Sequence, residues 1–216
     1  MFYSDKCDKE LRFGDVLKGF ISTTPFIKEP ILKIPHNDYK IDIQLPSYCV
    51  VLSPCCSIKK NKIDKQILLS PLIQIIPSFF NNQYFIDDLT RINRTMNPEQ
   101  TVARHTWEAL PTEQKQKRLE KGAGYAFIEL FIYEPNDYFP KYIVNRKEGN
   151  IETGYYMIDF GNTYKINCEA LQEGQEETLL EAKLWQLSVK SRQELRDKIT
   201  CYYGRIPEED KALMGD

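Results

Sequence analysis

Two short apolar runs limit what this chain can fold into. Cys49-Val50-Val51-Leu52-Ser53 is rich in β-branched residues and is stopped by Pro54. Ile67-Leu68-Leu69-Ser70-Pro71-Leu72-Ile73 follows, after the polar stretch Lys59-Lys60-Asn61-Lys62-Ile63-Asp64-Lys65. Runs this short, bounded by proline and charge, read as buried strands, and the polar turn between them makes an antiparallel pair. Gly14-Asp15 is a turn signal, and Val16-Leu17-Lys18-Gly19-Phe20-Ile21 after it reads as another strand. Pro25, Pro30, Pro35 and Pro46 remove ladder donors from residues 22–47. That stretch therefore reads as a long loop with one short strand at 39–43.

The period changes after Pro77. Ile86, Leu89 and Ile92 recur at helical spacing among Asp87, Asp88, Arg91 and Arg94. Asn97-Pro98-Glu99 and Pro111-Thr112-Glu113 read as helix starts. Residues 86–121 are thus expected to be a charged helical insertion. Strands resume at 125–133, 155–160 and 163–166, and Leu184-Trp185-Gln186-Leu187 forms a last short one. Ser188 is placed to accept the Ser191 amide and cap a final helix over 189–203, with Leu195, Ile199 and Tyr202 on one face. Gly204 ends it. The chain reads as one domain over 1–216, with strands within 11–76 and 123–187.

Composition excludes several function classes. Charged residues make up 28% of the chain but nearly cancel, to a net charge of −2, so no strongly basic domain drives non-specific nucleic-acid affinity. There is no run of about 18 apolar residues and no apolar core behind Met1-Phe2-Tyr3-Ser4-Asp5-Lys6. A cytoplasmic protein away from membranes is expected, its six cysteines reduced. There is no phosphate-binding glycine loop, no His-Glu-x-x-His and no Cys-x-x-Cys. No cofactor and no resident metal are expected.

The order of the N-terminal motifs resembles the PemK/MazF toxin family. Gly14-Asp15-Val16-Leu17, Cys49-Val50-Val51-Leu52-Ser53-Pro54 and Leu69-Ser70-Pro71 match its opening strands, and Leu187-Ser188-Val189 leads into a similar terminal helix. The likeness covers residues 11–76 and 183–204. It implies an α+β fold: a small antiparallel SH3-like β-barrel with, in this chain, a helical insertion and a C-terminal helix. It also implies a bacterial toxin–antitoxin or phage-defence setting, RNA or a protein as partner, and a homodimer through the barrel. Family members place an arginine before the Val-Val-Leu-Ser strand and a hydroxyl residue after the next strand's proline. Here Ser47 and Ile73 stand at those places, and Tyr48 replaces the usual proline. Phosphoryl transfer needs placed cations and donors, so a binding module without the family's RNase site is the leading expectation. An active ribonuclease with relocated groups and a structural subunit of a larger complex stand beside it.

For a relocated site the candidates are His36 as base with Ser53 or Cys55 as nucleophile. A metal site from His36, Cys49, Cys55 and Cys56 is the weaker alternative, because adjacent cysteines lack zinc-site spacing. Lys28, Lys33, Lys40, Arg91, Arg94 and Arg104 are the candidate nucleic-acid contacts, with His105-Thr106-Trp107 as an aromatic neighbour. Asp159, before Gly161-Asn162, reads either as a site residue or as a strand-end group bonding the turn after it.

Overall fold

The computed structural model describes residues 1–19, 22–27, 39–55, 58, 66–75, 77–81, 89–93, 104–121, 129–146, 148–167 and 182–204. The chain divides into two compact units. One comprises Ser4–Ile73 and Asn162–Gln186; the other comprises Met1–Tyr3, Gln74–Gly161 and Leu187–Asp216. Both combine antiparallel strands with irregular or helical segments, so the chain is α+β.

The first unit is organised by a five-stranded sheet. Its strands are β1 (Val16–Lys18), β4 (Tyr48–Val51), β5 (Gln66–Pro71), β11 (Tyr164–Asn167) and β12 (Lys183–Trp185), in the order β11-β5-β4-β1-β12. The β4–β5 pair is antiparallel as the sequence pattern requires, with Cys49 opposite Pro71 and Val51 opposite Leu69. Alternation places Leu17, Cys49, Val51, Ile67 and Leu69 on one face, where they form a buried cluster with Leu11. Each such side chain contributes about 1.5–3 kcal/mol when fully buried. Val16 and Val50, on the other face, are equally closed off. Central strands buried on both sides explain why β4 is apolar without interruption. The sheet has two edges, β11 and β12, and no ladder joins them among the described residues.

Residues 22–47 differ from the expected loop. β2 (Ser22–Ile27) and β3 (Tyr39–Gln44) form a six-pair antiparallel hairpin in which Pro25 lies opposite Ile41. A two-stranded ribbon gives each strand an outer edge, and there a missing donor is tolerated. Counting prolines alone overstates their power to break a ribbon.

The second unit holds β6 (Ile73–Gln74), β7 (Leu130–Tyr133) and β10 (Tyr156–Asp159) in the order β6-β10-β7, and a hairpin of β8 (Tyr142–Val144) and β9 (Ile151–Thr153). Leu130, Ile132 and Met157 pack with Phe79, Phe80, Leu89 and Ile92. Leu89 and Ile92 are buried as their spacing predicts, on a 3-10 turn, Leu89–Asn93. Helices α1 (Arg104–Ala109) and α2 (Thr112–Glu120) follow. The expected helix start at 97–99 lies outside the described residues. The terminal helix α3 (Val189–Tyr203) is capped as read: the Ser191 amide donates to Ser188 Oγ at 3.2 Å. Gly204 closes it with its N–H on the Thr200 carbonyl at 2.8 Å, where a Cβ would lie 2.9 Å from that oxygen.

One charged residue of α3 is buried with its apolar face. Lys198 is buried, and its ammonium donates to the Ile92 carbonyl. Burial pushes its pKa down from 10.5 to about 7, against the opposing influence of Glu129 and Cys201. An unfolded lysine keeps its proton up to the ordinary value. Between pH 7 and 10.5 the unfolded chain therefore binds a proton that the folded chain has released, and stability rises with pH. Below 7 both states are protonated and this slope vanishes. From pH 7 to 9 the unfolding free energy is expected to rise by about 2 kcal/mol. Urea titrations at pH 7, 8 and 9 check this, and Lys198→Met should flatten the rise.

Candidate functional site

Ser47, Tyr48 and Ile73, the positions at which the sequence departs from the pattern it resembles, fall at one end of the five-stranded sheet. Lys18 ends β1 and lies opposite Tyr48, which opens β4. The Gly19 amide donates to the Ser47 carbonyl at 2.9 Å, and the Leu72 amide donates to the Tyr48 carbonyl at 3.0 Å. Ser47 and Ile73 are exposed beside them. Ladder partners share a face of the sheet, so Lys18, Tyr48 and Val16 project to the same side. Trp185 pairs with Val16 and joins them. The rings of Tyr48 and Trp185 sit 6.1 Å apart at 65°, an edge-to-face pair. Both rings are half-buried, and Lys18 is exposed. The end of the sheet thus presents two aromatic rings and a lysine, with no cation at position 47 and no hydroxyl at position 73.

Ser53 and Cys55 lie beyond the opposite end of β4. Ser53 is buried, and its Oγ accepts the Leu68 amide at 2.9 Å. The Cys55 sulfur accepts the Phe13 amide at 3.2 Å. Nearby the Gly14 amide donates to the Val51 carbonyl at 2.7 Å, and Gly14 takes a φ of 85° that suits glycine. Both candidate nucleophiles therefore satisfy backbone donors where strands begin and end. The sequence signal that singled them out, a polar cluster after an apolar strand, is also the signal of such a closure.

His36, Lys28, Lys33, Arg94 and Cys56 lie outside the described residues. Lys40 stands on β3 opposite Phe26, and Arg104 opens α1; the side chains of both lie outside the described set. Arg91 is half-buried on the Leu89–Asn93 turn. Trp107 is buried and offers no stacking face. On α2 the Lys117 ammonium pairs with Glu113 at 2.7 Å, and Lys115 donates to the Glu108 carbonyl at 3.0 Å. Asp159 takes its turn-bonding role: its Oδ1 accepts the Gly161 amide at 2.8 Å. Cys7, Cys49, Cys55 and Cys201 are in no disulfide. Among the described residues no three side chains gather as metal ligands, and no helix is long and apolar enough to cross a membrane.

The Tyr48–Trp185 pair was not legible in the sequence. In the sequence Tyr48 stands in place of a proline and Trp185 lies in a short strand, and neither pattern points to the other. Their meeting depends on β12 adding to β1, a pairing between residues far apart in the chain.

Comparison with known proteins gives no match to a family model, to a curated protein or to a solved structure.

Proposed function

We propose that this chain is a MazF-like protein whose five-stranded sheet belongs to an SH3-like barrel. In this reading it binds single-stranded RNA without the family's RNase chemistry, in the cytoplasm, within a bacterial toxin–antitoxin or phage-defence system. The observation that carries the reading is the exposed end of the sheet. Tyr48, Trp185 and Lys18 provide stacking surface and one positive charge, while Ser47 stands where the resembling family has a cation and Ile73 where it has a hydroxyl. Bases stack on aromatic faces whatever their sequence, and a nearby lysine neutralises a phosphate.

The test is a titration of the protein with short single-stranded RNA at low and moderate salt, alongside a cleavage assay on a mixed RNA pool. Salt-sensitive binding without cleavage is expected. Each stacked base contributes about 1–3 kcal/mol, so Trp185→Ala and Tyr48→Ala should each weaken binding about tenfold or more. RNA cleavage that disappears in His36→Ala would overturn the reading in favour of a hydrolase. Equal affinity in all three proteins would remove this end of the sheet from the argument.

A further inference from the structure

In the second unit one buried side chain ties α3 to the Leu89–Asn93 turn. Lys198 is 3% exposed, and its Nζ donates to the Ile92 carbonyl. Ile92 is itself buried, in a cluster with Phe79, Leu89, Leu130 and Ile132. The next residue of the turn, Asn93, braces β7. Its Nδ2 donates to the Ile132 carbonyl at 2.7 Å, and its Oδ1 accepts the Ile132 amide at 2.6 Å. The helix, the turn and the edge of the sheet are thus linked through two consecutive residues, Ile92 and Asn93.

This link suits the neutral amine better than the ammonium. A carbonyl accepts a hydrogen bond from either form, but burial away from water is far costlier for the charged one. Glu129, half-buried just before β7, and Cys201, one turn further along α3, both favour the charged form, and burial outweighs them. The one charged residue of the turn, Arg91, is half-buried, and β7 contains none.

We infer that Lys198 is a pH-sensitive latch: its neutral amine holds the Leu89–Asn93 turn against α3, and its protonation releases the turn together with the Asn93 brace on β7. When the turn lifts, the amine meets water and regains the ordinary lysine affinity for a proton. Between pH 7 and 10.5 opening therefore takes up a proton, and it becomes more frequent as pH falls through that window. Below 7 the docked amine is protonated as well, and the effect levels off. Such a latch loosens one edge of the sheet while the rest of the unit stays folded.

The experiment follows hydrogen exchange of the parent chain from pH 6 to 9. Corrected for the intrinsic rate, protection of the Ile132 amide should rise on the order of fiftyfold between pH 7 and 9, and only about twofold between 6 and 7. Amides of the β8–β9 hairpin, in the same unit, are the reference and should not follow. Lys198→Met should flatten the Ile132 profile. In lysine-labelled parent protein one side chain should titrate near pH 7, which identifies the group without a substitution. Equal rises at Ile132 and in the hairpin would mean that the unit opens as a whole, and would overturn the latch. So would a flat profile in the parent, a rise that survives Lys198→Met, or the absence of any lysine titrating below the ordinary range.

Discussion

Gly19→Ala should be among the most damaging single substitutions in this protein. A Cβ at position 19 would overlap the Pro46 carbonyl oxygen, and would stand 2.5 Å from Pro46 C and 2.9 Å from Ser47 C. All three are backbone atoms, so no flexible side chain can swing aside. The close approach is set by the Gly19 amide donating to the Ser47 carbonyl, which holds the exit of β1 against the entry of β4. Overpacking a tight contact costs about 1–3 kcal/mol and more where backbone must shift. A loss on the order of 3 kcal/mol or more is expected, against a total stability of about 5–15 kcal/mol for a typical domain. Urea unfolding measures it. Gly154→Ala is the control, because a Cβ there meets Pro135 Cβ at an ordinary 3.4 Å. A small change at Gly19 similar to that at Gly154 would show that the two segments can separate without cost. Because Ser47 and Tyr48 adjoin this contact, a folded Gly19→Ala protein should also bind RNA less well.

Asn93→Leu is expected to cost a comparable amount in the second unit. The Asn93 amide pairs with the backbone of one residue of β7. Its Nδ2 donates to the Ile132 carbonyl at 2.7 Å, and its Oδ1 accepts the Ile132 amide at 2.6 Å. Asn93 is 3% exposed, and Ile132 is fully buried. β7 is an edge of its sheet, with β10 on its other side. A single side chain thus completes the hydrogen bonding of a buried edge that would otherwise need another strand. Leucine has similar size but leaves a buried donor and a buried acceptor unpaired. Each such group costs about 1–3 kcal/mol, so a loss of about 2–5 kcal/mol is expected. Hydrogen exchange at the Ile132 amide gives a local check: its protection should fall further than that of neighbouring amides. Unchanged protection would mean that another group satisfies it.

These two contacts mark where sequence reading ends. Gly19 lies within a strand pattern and Asn93 beside a helical one, and neither residue type reveals its partner. Local signals did carry far. β-branched runs bounded by proline and polar turns placed β4 and β5, and a serine three residues before an orphan amide placed the start of α3. Gly161-Asn162 marked the turn that Asp159 bonds. The hairpin of β8 and β9 leaves no clear sequence signal because its strands are only three residues long and barely alternate.

What the sequence alone determined about this protein is therefore its local grammar: where strands lie, where the last helix begins, and that the fold mixes short antiparallel strands with helices. Those features depend on neighbours within a few residues, which any single chain displays. The tertiary structure alone decided what the polar residues do. Ser53 and Cys55 are candidate nucleophiles in sequence, and the structure shows each accepting a backbone amide from another segment. Lys183 and Lys198 look like ordinary surface lysines, yet one is paired with Asp8 and Asp15 from the far end of the chain and the other is buried against the Ile92 carbonyl. Tyr48 and Trp185 meet only because β12 returns to β1. A side chain's role is set by the groups that replace water around it, and in this fold those groups come from remote parts of the chain.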